Sequence, residues 1–143
     1  MQKAIDVSKW NGDIDYTGVK SIGINNVIIQ CGYGMESNQK DPYFDKNYRK
    51  AKENKMRVGV YHYSYAKSVN EARKEANTCL KWIKGKDLDL PIYIDMEEEN
   101  LTYLGKEILT KIAIEFCKVI EKSGYTAGVY ANANWFKNYL NYN

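Results

Sequence analysis

Residues 91–99 read Pro-Ile-Tyr-Ile-Asp-Met-Glu-Glu-Glu, and their order of apolar and polar side chains indicates the kind of sheet that the chain forms. Successive side chains of a β-strand point to opposite faces, so Ile92 and Ile94 share one face while Tyr93 and Asp95 share the other. Proline is tolerated at the first residue of a strand, which suits Pro91. The stretch therefore predicts a strand with one apolar face and one polar, aromatic face.

Four further runs have the composition of strands, and helical patterns separate them. The predicted strands cover residues 4–8, 27–31, 58–65, 91–96 and 127–131. Helical periodicity covers 15–22, 44–54, 68–84, 109–120 and 135–140, and Ser68 and Glu71 form a capping box at the start of the third helix. Strands that alternate with helices in this way indicate βαβ units and a parallel sheet.

The alternation seen at residues 92–95 recurs in all five predicted strands. One face carries the apolar residues Ile5, Val7, Ile29, Cys31, Val58, Val60, Ile92, Ile94, Ala127 and Val129. The opposite face carries Asp6, Ser8, Gln30, Tyr61, Tyr63, Tyr93, Asp95, Glu97, Tyr130 and Asn132. A doubly wound sheet would need apolar residues on both faces. The pattern instead favours an α/β barrel with helices outside and functional groups at the strand ends.

Composition limits the function classes. The 143 residues suit one domain over 1–143, and scattered charges that sum to +3 give nucleic-acid binding little support. We expect no membrane insertion, because no apolar run reaches ~20 residues. The N-terminus shows no signal peptide, so we expect synthesis in the cytoplasm. Cys31, Cys79 and Cys117 show no metal-ligand or disulfide spacing and are interpreted as free thiols.

Three acidic residues form the candidate catalytic group. Asp95 and Glu97 are two residues apart on one strand, so both carboxyl groups point the same way, and Asp6 shares that face on the first strand. Mutual repulsion should raise one pKa and leave the other acid ionised, as cleavage of a glycosidic bond requires. Binding of a hard metal ion is the chemical alternative. Glu98 and Glu99 are interpreted as a solvated loop.

Polar and aromatic residues on the same face are candidates for substrate binding. They are Gln30, Tyr61, Tyr63, Tyr130 and Asn132. Aromatic rings with polar groups suit the stacking of sugars, and the same tyrosines could equally form layers of the barrel core. The single histidine, His62, has the parity of the helix-facing side and is interpreted as a core residue.

Three motifs resemble the glycoside hydrolase family 25 muramidases, the lysozymes of phage endolysins and bacterial autolysins. The motifs are residues 5–12 (Ile-Asp-Val-Ser-Lys-Trp-Asn-Gly), 59–63 (Gly-Val-Tyr-His-Tyr) and 95–97 (Asp-Met-Glu). The resemblance implies a TIM-like (β/α)5(β)3 barrel that cleaves the β-1,4 bond between N-acetylmuramic acid and N-acetylglucosamine in peptidoglycan, without a cofactor or metal. It also implies that Glu97 is the general acid, with Asp95 and Asp6 as supporting carboxylates. An inverting route and assistance by the substrate's N-acetyl group both remain open.

The sequence departs from the family pattern at its end. The family continues with three more strands, whereas this chain stops at Asn143, so we expect it to cover about the first five βα units. Two sheet edges would then be exposed, and we expect self-association or a missing C-terminal segment. Two other functions stay open: an inactive truncated barrel that binds glycan or self-assembles, and a metal-dependent hydrolase. A lysozyme would act on the cell wall after release.

Overall fold

The computed structural model describes residues 3–141 and contains five strands and five α-helices in strict alternation. The strands are β1 (Ala4–Val7), β2 (Asn26–Tyr33), β3 (Arg57–Tyr63), β4 (Ile92–Asp95) and β5 (Ala127–Tyr130). The helices are α1 (Tyr16–Ser21), α2 (Phe44–Glu53), α3 (Val69–Trp82), α4 (Lys106–Lys122) and α5 (Ala133–Asn138). Short 3-10 helices cover Lys9–Asn11, Ser37–Gln39 and Glu99–Leu104. The last residue, Asn143, lies outside the described residues.

All strands are parallel, and they follow one another in the order β1-β2-β3-β4-β5. The register pairs Val27 of β2 with Val58 of β3, and Ile94 of β4 with Val129 of β5. Sequential neighbours joined by helices are the βαβ arrangement that the sequence predicted. Within the described residues, β1 and β5 each have one neighbouring strand, so they form the two edges of the sheet.

The two faces of the sheet differ as the alternation predicted. On the helix side, Ile29, Val58 and Ile92 are fully buried and belong to the hydrophobic core. On the other side, Asp6 and Tyr130 at the edge strands are exposed to solvent. The apolar core therefore lies between the sheet and its helices, and the opposite side is free to line a cleft.

Strand β2 contains a β-bulge that changes its alternation. Gln30 pairs with Tyr61, but the next pair joins Gly32 to His62, so the register shifts at Cys31. Both Cys31 and Gly32 consequently lie on the helix side. A Cβ atom on Gly32 would collide with the ring of Trp82 and lie 2.6 Å from the carbonyl oxygen of Gln39. Only glycine fits at this point of close approach.

Side-chain caps fix the start of α3. Ser68 Oγ accepts a hydrogen bond from the backbone N–H of Glu71 at 3.1 Å, and Glu71 Oε1 accepts one from Lys67 N. The sequence predicts an apolar stripe of Ala72, Ala76, Cys79, Leu80 and Ile83 on this helix; all are fully buried except Leu80, which is partly buried. Across residues 3–141, no helix combines the length and apolar character that a membrane span requires.

Candidate active site

The three predicted acids come together at the carboxyl ends of the strands. Asp6 lies on β1, Asp95 is the last residue of β4, and Glu97 follows two residues later. All three line one cleft of about 820 Å³. The other lining residues are Ser8, Lys9, Trp10, Ile28, Gln30, Tyr33, Asn38, Lys40, Asp41, Pro42, Tyr61, Tyr63, Tyr65 and Tyr130. This is the end of a parallel sheet at which α/β folds place their ligands.

Asp95 is the most deeply buried of the three acids, with 5% of its surface exposed. Burial, together with the charges of Glu97 and Asp6, raises the pKa of Asp95 to about 8. Among the described residues, no hydrogen-bond donor reaches its Oδ1 atom. A buried carboxyl oxygen without a donor favours the protonated acid, so Asp95 retains a proton at neutral pH.

Glu97 lies nearer to solvent and is half-buried. Burial is the main reason that its pKa is raised, the charge of Asp6 adds to the effect, and a hydrogen bond with Asp95 opposes it. The same hydrogen bond adds to the raised pKa of Asp95, so Asp95 is the member of the pair that favours its protonated form more strongly. Glu97 is the member that is more exposed to a ligand in the cleft.

Asp6 meets a residue from the far side of the sheet. The hydroxyl group of Tyr130, at the end of β5, donates a hydrogen bond to Asp6 Oδ2 at 3.4 Å. The negative charge of Asp6 is the main reason that the pKa of Tyr130 is raised. Because β1 and β5 are the two edge strands, this contact requires a sheet that curves around the cleft.

Tyrosines form one wall of the cleft. Tyr61 stacks on Tyr130 with ring centroids 6.4 Å apart and an interplanar angle of 27°. Tyr63 lies 5.2 Å from Tyr65, and Tyr65 lies 5.8 Å from Tyr33, again between ring centroids. Burial raises the pKa of both Tyr61 and Tyr63, so their hydroxyl groups remain hydrogen-bond donors across the physiological range.

Glu98 has a contact that the sequence did not predict. It was interpreted as part of a solvated loop, but it is half-buried, and its Oε1 accepts a hydrogen bond from the Tyr63 hydroxyl at 3.2 Å. Its Oε2 accepts a second one from Asn100 Nδ2 at 2.9 Å. Glu98 thus holds Tyr63 in the wall, whereas Glu99 is exposed as expected.

The structure separates the two amides that were predicted to bind substrate. Gln30 lines the cleft, where its Nε2 donates a hydrogen bond to the carbonyl oxygen of Gly32 at 3.3 Å. Asn132 is not among the residues that line the cleft in the described part of the chain. It lies beyond the end of β5, and its Oδ1 caps α5 by accepting the N–H of Trp135 at 2.9 Å. The structure therefore places Asn132 in a capping position.

Three aromatic residues of the cleft were absent from the predicted site. Trp10 is 82% exposed in the loop after β1, and the ammonium group of Lys9 lies 4.6 Å from the centroid of its ring. Tyr33 lies beyond the predicted strand, which ended at residue 31, and the bulge at Cys31 turns it toward the cleft. Tyr65 lies within the predicted strand 58–65 and has the parity of Tyr61 and Tyr63, although β3 ends at Tyr63. Trp10, in the first quoted motif, and Tyr65, by its parity, therefore carried a signal.

Two buried acids hold the loops of the cleft in place. Asp41 accepts hydrogen bonds from the backbone N–H groups of Lys9 at 3.0 Å and Tyr43 at 2.8 Å, which ties the loop after β1 to the loop after β2. Glu75 of α3 accepts bonds from Ser64 Oγ at 2.6 Å and from the backbone of Tyr65 at 2.9 Å. These contacts fix the backbone that carries the aromatic wall.

Within residues 3–141, one group of three side chains has the spacing to hold a metal ion, and it lies outside the cleft. Its members are Cys31, His62 and Cys79, whose ligand atoms all lie within 4.8 Å of one another. The three acids of the cleft are not such a group in the described part of the chain. Their arrangement suits proton transfer better than shared coordination of one cation.

Two known proteins are similar in sequence to most of this chain. "Uncharacterized protein YegX" of Escherichia coli (strain K12) is 30% identical over 136 residues, which are 92% of this chain and 48% of that protein. The "Autolytic lysozyme" of Clostridium acetobutylicum is 29% identical over 141 residues, 97% of this chain and 41% of that protein. The chain thus spans about half the length of the curated relatives that it matches.

A solved structure shows the same fold. The modular autolysin LytC from Streptococcus pneumoniae, in complex with a synthetic peptidoglycan ligand, superposes with a TM-score of 0.83 and 26% identity, over 96% of this chain and 34% of that one. The five βα units are therefore part of a TIM-like barrel. The sequence also matches the profile of glycosyl hydrolases family 25 over residues 5–143. The chain belongs to glycosyl hydrolase family 25.

Proposed function

We propose that this chain carries the catalytic machinery of a lysozyme-type peptidoglycan hydrolase, a muramidase that cleaves the β-1,4 bond between N-acetylmuramic acid and N-acetylglucosamine. The observation that carries the proposal is the pairing of a buried, protonated Asp95 with a cleft-facing Glu97, in one cleft with Asp6. Membership of the family and the lysozyme named among its relatives support the same activity.

Glu97 is the acid in the proposed reaction. Its carboxyl group is the more exposed member of the pair, so it delivers the proton of the pair to the glycosidic oxygen as the bond to the anomeric carbon breaks. A water molecule then bonds to the anomeric carbon, and the proton that the water releases restores the acid pair. Asp95, buried behind it, keeps a proton in the pair near neutral pH. A carboxylic acid that remains protonated at the working pH is what departure of the sugar requires.

We assign to Asp6 the stabilisation of the positive charge that develops on the sugar. When the glycosidic bond breaks, the anomeric carbon becomes positively charged, and a carboxylate nearby lowers the energy of that state. The hydroxyl group of Tyr130, 3.4 Å from Asp6 Oδ2, orients the Asp6 carboxyl group at the edge of the cleft. Loss of either group should slow bond cleavage more than it weakens glycan binding.

The tyrosine wall and Trp10 are assigned to glycan binding. Sugars present apolar ring faces edged with hydroxyl groups, and aromatic rings with polar tips match that pattern. The cleft of about 820 Å³ lies within the range of ligand sites and has room for several sugar rings. A structural relative is described in complex with a synthetic peptidoglycan ligand, which supports peptidoglycan as the partner and the bacterial cell wall as the place of action.

The decisive experiment measures both lysis and the new chain ends. The purified chain is incubated with Gram-positive cell walls, turbidity is followed, and the soluble fragments are reduced with borohydride and identified by mass spectrometry. We expect clearing, with reduced N-acetylmuramic acid at the new ends. Reduced N-acetylglucosamine at those ends would contradict the bond assignment. Binding to walls without soluble fragments would instead support a glycan-binding module.

A chelator arm tests the metal-dependent alternative. We expect EDTA to leave the initial rate of lysis unchanged, because the acids act by proton transfer and electrostatics. The arm is repeated with Cys79→Ser, which alters the buried cluster on the other side of the sheet. Loss of activity with EDTA and recovery with a divalent ion in both proteins would assign a metal to the acids.

A further inference from the structure

Three soft or borderline metal ligands meet on the helix side of the sheet, where the proposed hydrolase chemistry does not use them. Cys31 lies at the bulge of β2, His62 on β3 and Cys79 on α3, and each is 0% exposed. Cys31 Sγ lies 3.6 Å from Cys79 Sγ and 3.8 Å from His62 Nδ1. We call these residues the thiol–imidazole cluster.

The imidazole ring is oriented as a metal ligand would be. His62 Nε2 lies 2.7 Å from the carbonyl oxygen of Gly34, so Nε2–H donates to that oxygen. The neutral tautomer then leaves the lone pair of Nδ1 directed at Cys31 Sγ. Histidine ligands of metals commonly donate their second N–H to a carbonyl group in this way. The ring stacks on Trp82, with centroids 5.5 Å apart, which fixes its plane.

Two separations in the cluster lie near those between the ligands of a tetrahedral zinc ion. Zn–S and Zn–N bonds of ~2.3 and ~2.0 Å place two sulfurs about 3.8 Å apart, and a sulfur and a nitrogen about 3.5 Å apart. The observed separations are 3.6 Å and 3.8 Å. We propose that the thiol–imidazole cluster is a structural binding site for a thiophilic divalent cation of the Zn²⁺ class.

The charge balance selects a divalent ion. Binding displaces one proton from each thiol, so two thiolates and one neutral imidazole surround a charge of +2, and the site is neutral. A monovalent ion would leave a net negative charge in a fully buried place, which is costly. The carbonyl oxygen of Tyr61 lies 3.4 Å from Cys31 Sγ, near the ~3.6 Å expected between sulfur and oxygen ligands of zinc.

A disulfide fits the cluster less well than a metal ion. The sulfurs of a disulfide lie ~2.05 Å apart, whereas those of Cys31 and Cys79 are separated by 3.6 Å. A disulfide would also make no use of the lone pair of His62 Nδ1, which is directed at Cys31 Sγ.

The test uses Cd²⁺, which replaces Zn²⁺ at thiolate sites and absorbs in the ultraviolet when sulfur binds it. The whole chain is reduced, freed of metal and titrated with Cd²⁺, and the bound metal is counted after gel filtration. We expect one ion per chain in the wild type. Cys31→Ser and Cys79→Ser should each weaken binding at least ~10-fold and reduce the absorption band. Cys117→Ser is the matched control, because Cys117 lies outside the cluster, and it should bind like the wild type.

Zinc-edge X-ray absorption on the wild type keeps the test independent of how the variants fold. We expect two sulfur neighbours at ~2.3 Å together with lighter ligands. Failure of the reduced wild type to retain metal would overturn the proposal. Equal loss in Cys117→Ser and Cys79→Ser would do the same, as would a coordination shell without sulfur or a Cys31–Cys79 disulfide that persists in the reduced protein. None of these readouts depends on wall lysis.

Discussion

Tyr130 and Asp6 lie on opposite edge strands of the sheet, yet the tyrosine hydroxyl donates a hydrogen bond to Asp6 Oδ2 at 3.4 Å. Three strands separate β1 from β5 in the sheet. A flat sheet with a strand spacing of ~4.8 Å would hold these residues nearly 20 Å apart. The contact therefore shows that the sheet is curved. This curvature brings the three acids into one cleft.

The contact between Tyr130 and Asp6 can be tested by titration. The charge of Asp6 is the main cause of the raised pKa of Tyr130, so Asp6→Asn should lower that pKa. The measurement is NMR of ¹³C-labelled tyrosine, with Tyr130→Phe to assign the signal. Asp13→Asn is the control, because Asp13 pairs with Lys50 on another part of the surface. An unchanged titration of Tyr130 in Asp6→Asn would mean that the edges do not meet in solution.

Loss of the general acid should abolish most of the activity. Glu97→Gln keeps the shape of the side chain but removes the proton, and we expect wall lysis to fall by at least ~100-fold. Glu99→Gln is the matched control: the residue is exposed, two positions away, and should retain activity. Turbidity assays on the two variants give the comparison. Equal losses would remove Glu97 from its assigned role.

The buried carboxyl group of Asp95 should make stability depend on pH. Its pKa is raised to about 8 in the fold, against ~4 in an unfolded chain, so the folded state binds more protons between those values. The free energy of unfolding should therefore fall as pH rises from about 4 to 8. Asp95→Asn removes this dependence.

Thermal unfolding of the wild type and Asp95→Asn at pH 5 and pH 8 checks this expectation. From pH 5 to pH 8 the melting temperature of the wild type should fall relative to that of Asp95→Asn. We expect the difference between the two proteins to change by ~3 °C or more, which corresponds to roughly 1 kcal/mol for a domain of this size. If the difference in melting temperature between the wild type and Asp95→Asn stays the same at both pH values, Asp95 does not carry the buried proton.

Tyr33, which alternation alone assigns to the core side, should bind glycan. Tyr33→Ala should raise KM by ~10-fold, equivalent to ~1.4 kcal/mol of lost stacking, and leave kcat within ~2-fold. Tyr103→Ala is the matched control, because Tyr103 is 72% exposed and lies outside the cleft lining. Initial rates on soluble peptidoglycan fragments separate the two constants. Similar effects of both substitutions would argue against a subsite at Tyr33.

The close contact at Gly32 should make that position intolerant of a side chain. Gly32→Ala inserts a Cβ atom against the Trp82 ring, and we expect a loss of ~1–3 kcal/mol in urea unfolding. The atoms that collide, Cζ3 and Cη2, form the outer edge of the indole, and the smaller ring of phenylalanine has no equivalent of these two atoms. Trp82→Phe should therefore lower the free energy of unfolding less in the Gly32→Ala background than in the wild type. Strict additivity would contradict this packing.

Most of the fold and the acid trio could be predicted from the sequence, because both depend on local periodicity. Side chains alternate along a strand, so the buried faces of Val58 and Ile92 and the shared direction of Asp6 and Asp95 follow directly. The helices were predictable for the same reason, since capping residues such as Ser68 mark their starts.

Features that depend on contacts between elements could not be predicted. Alternation fails at a bulge, and the predicted strand ended at residue 31, so the direction of Tyr33 was not predicted. Asn132 was treated as a strand residue, although its side chain caps the next helix. The thiol–imidazole cluster joins residues from β2, β3 and α3, and no spacing within one segment indicates it. Such sites form only when the chain has folded.

The bulge at Cys31 changes which residues of β2 face the core and which face the cleft. Before it, Ile29 faces the core and Gln30 the cleft; after it, Gly32 takes the core side and Tyr33 the cleft side. The extra residue that forms the bulge is Cys31. Removing one residue here would restore regular alternation, but it would also delete the thiol or slide every later residue of β2 by one place. We therefore expect homologous chains that lack the extra residue to lack the buried cysteine, while the last residue of β2 still faces the cleft.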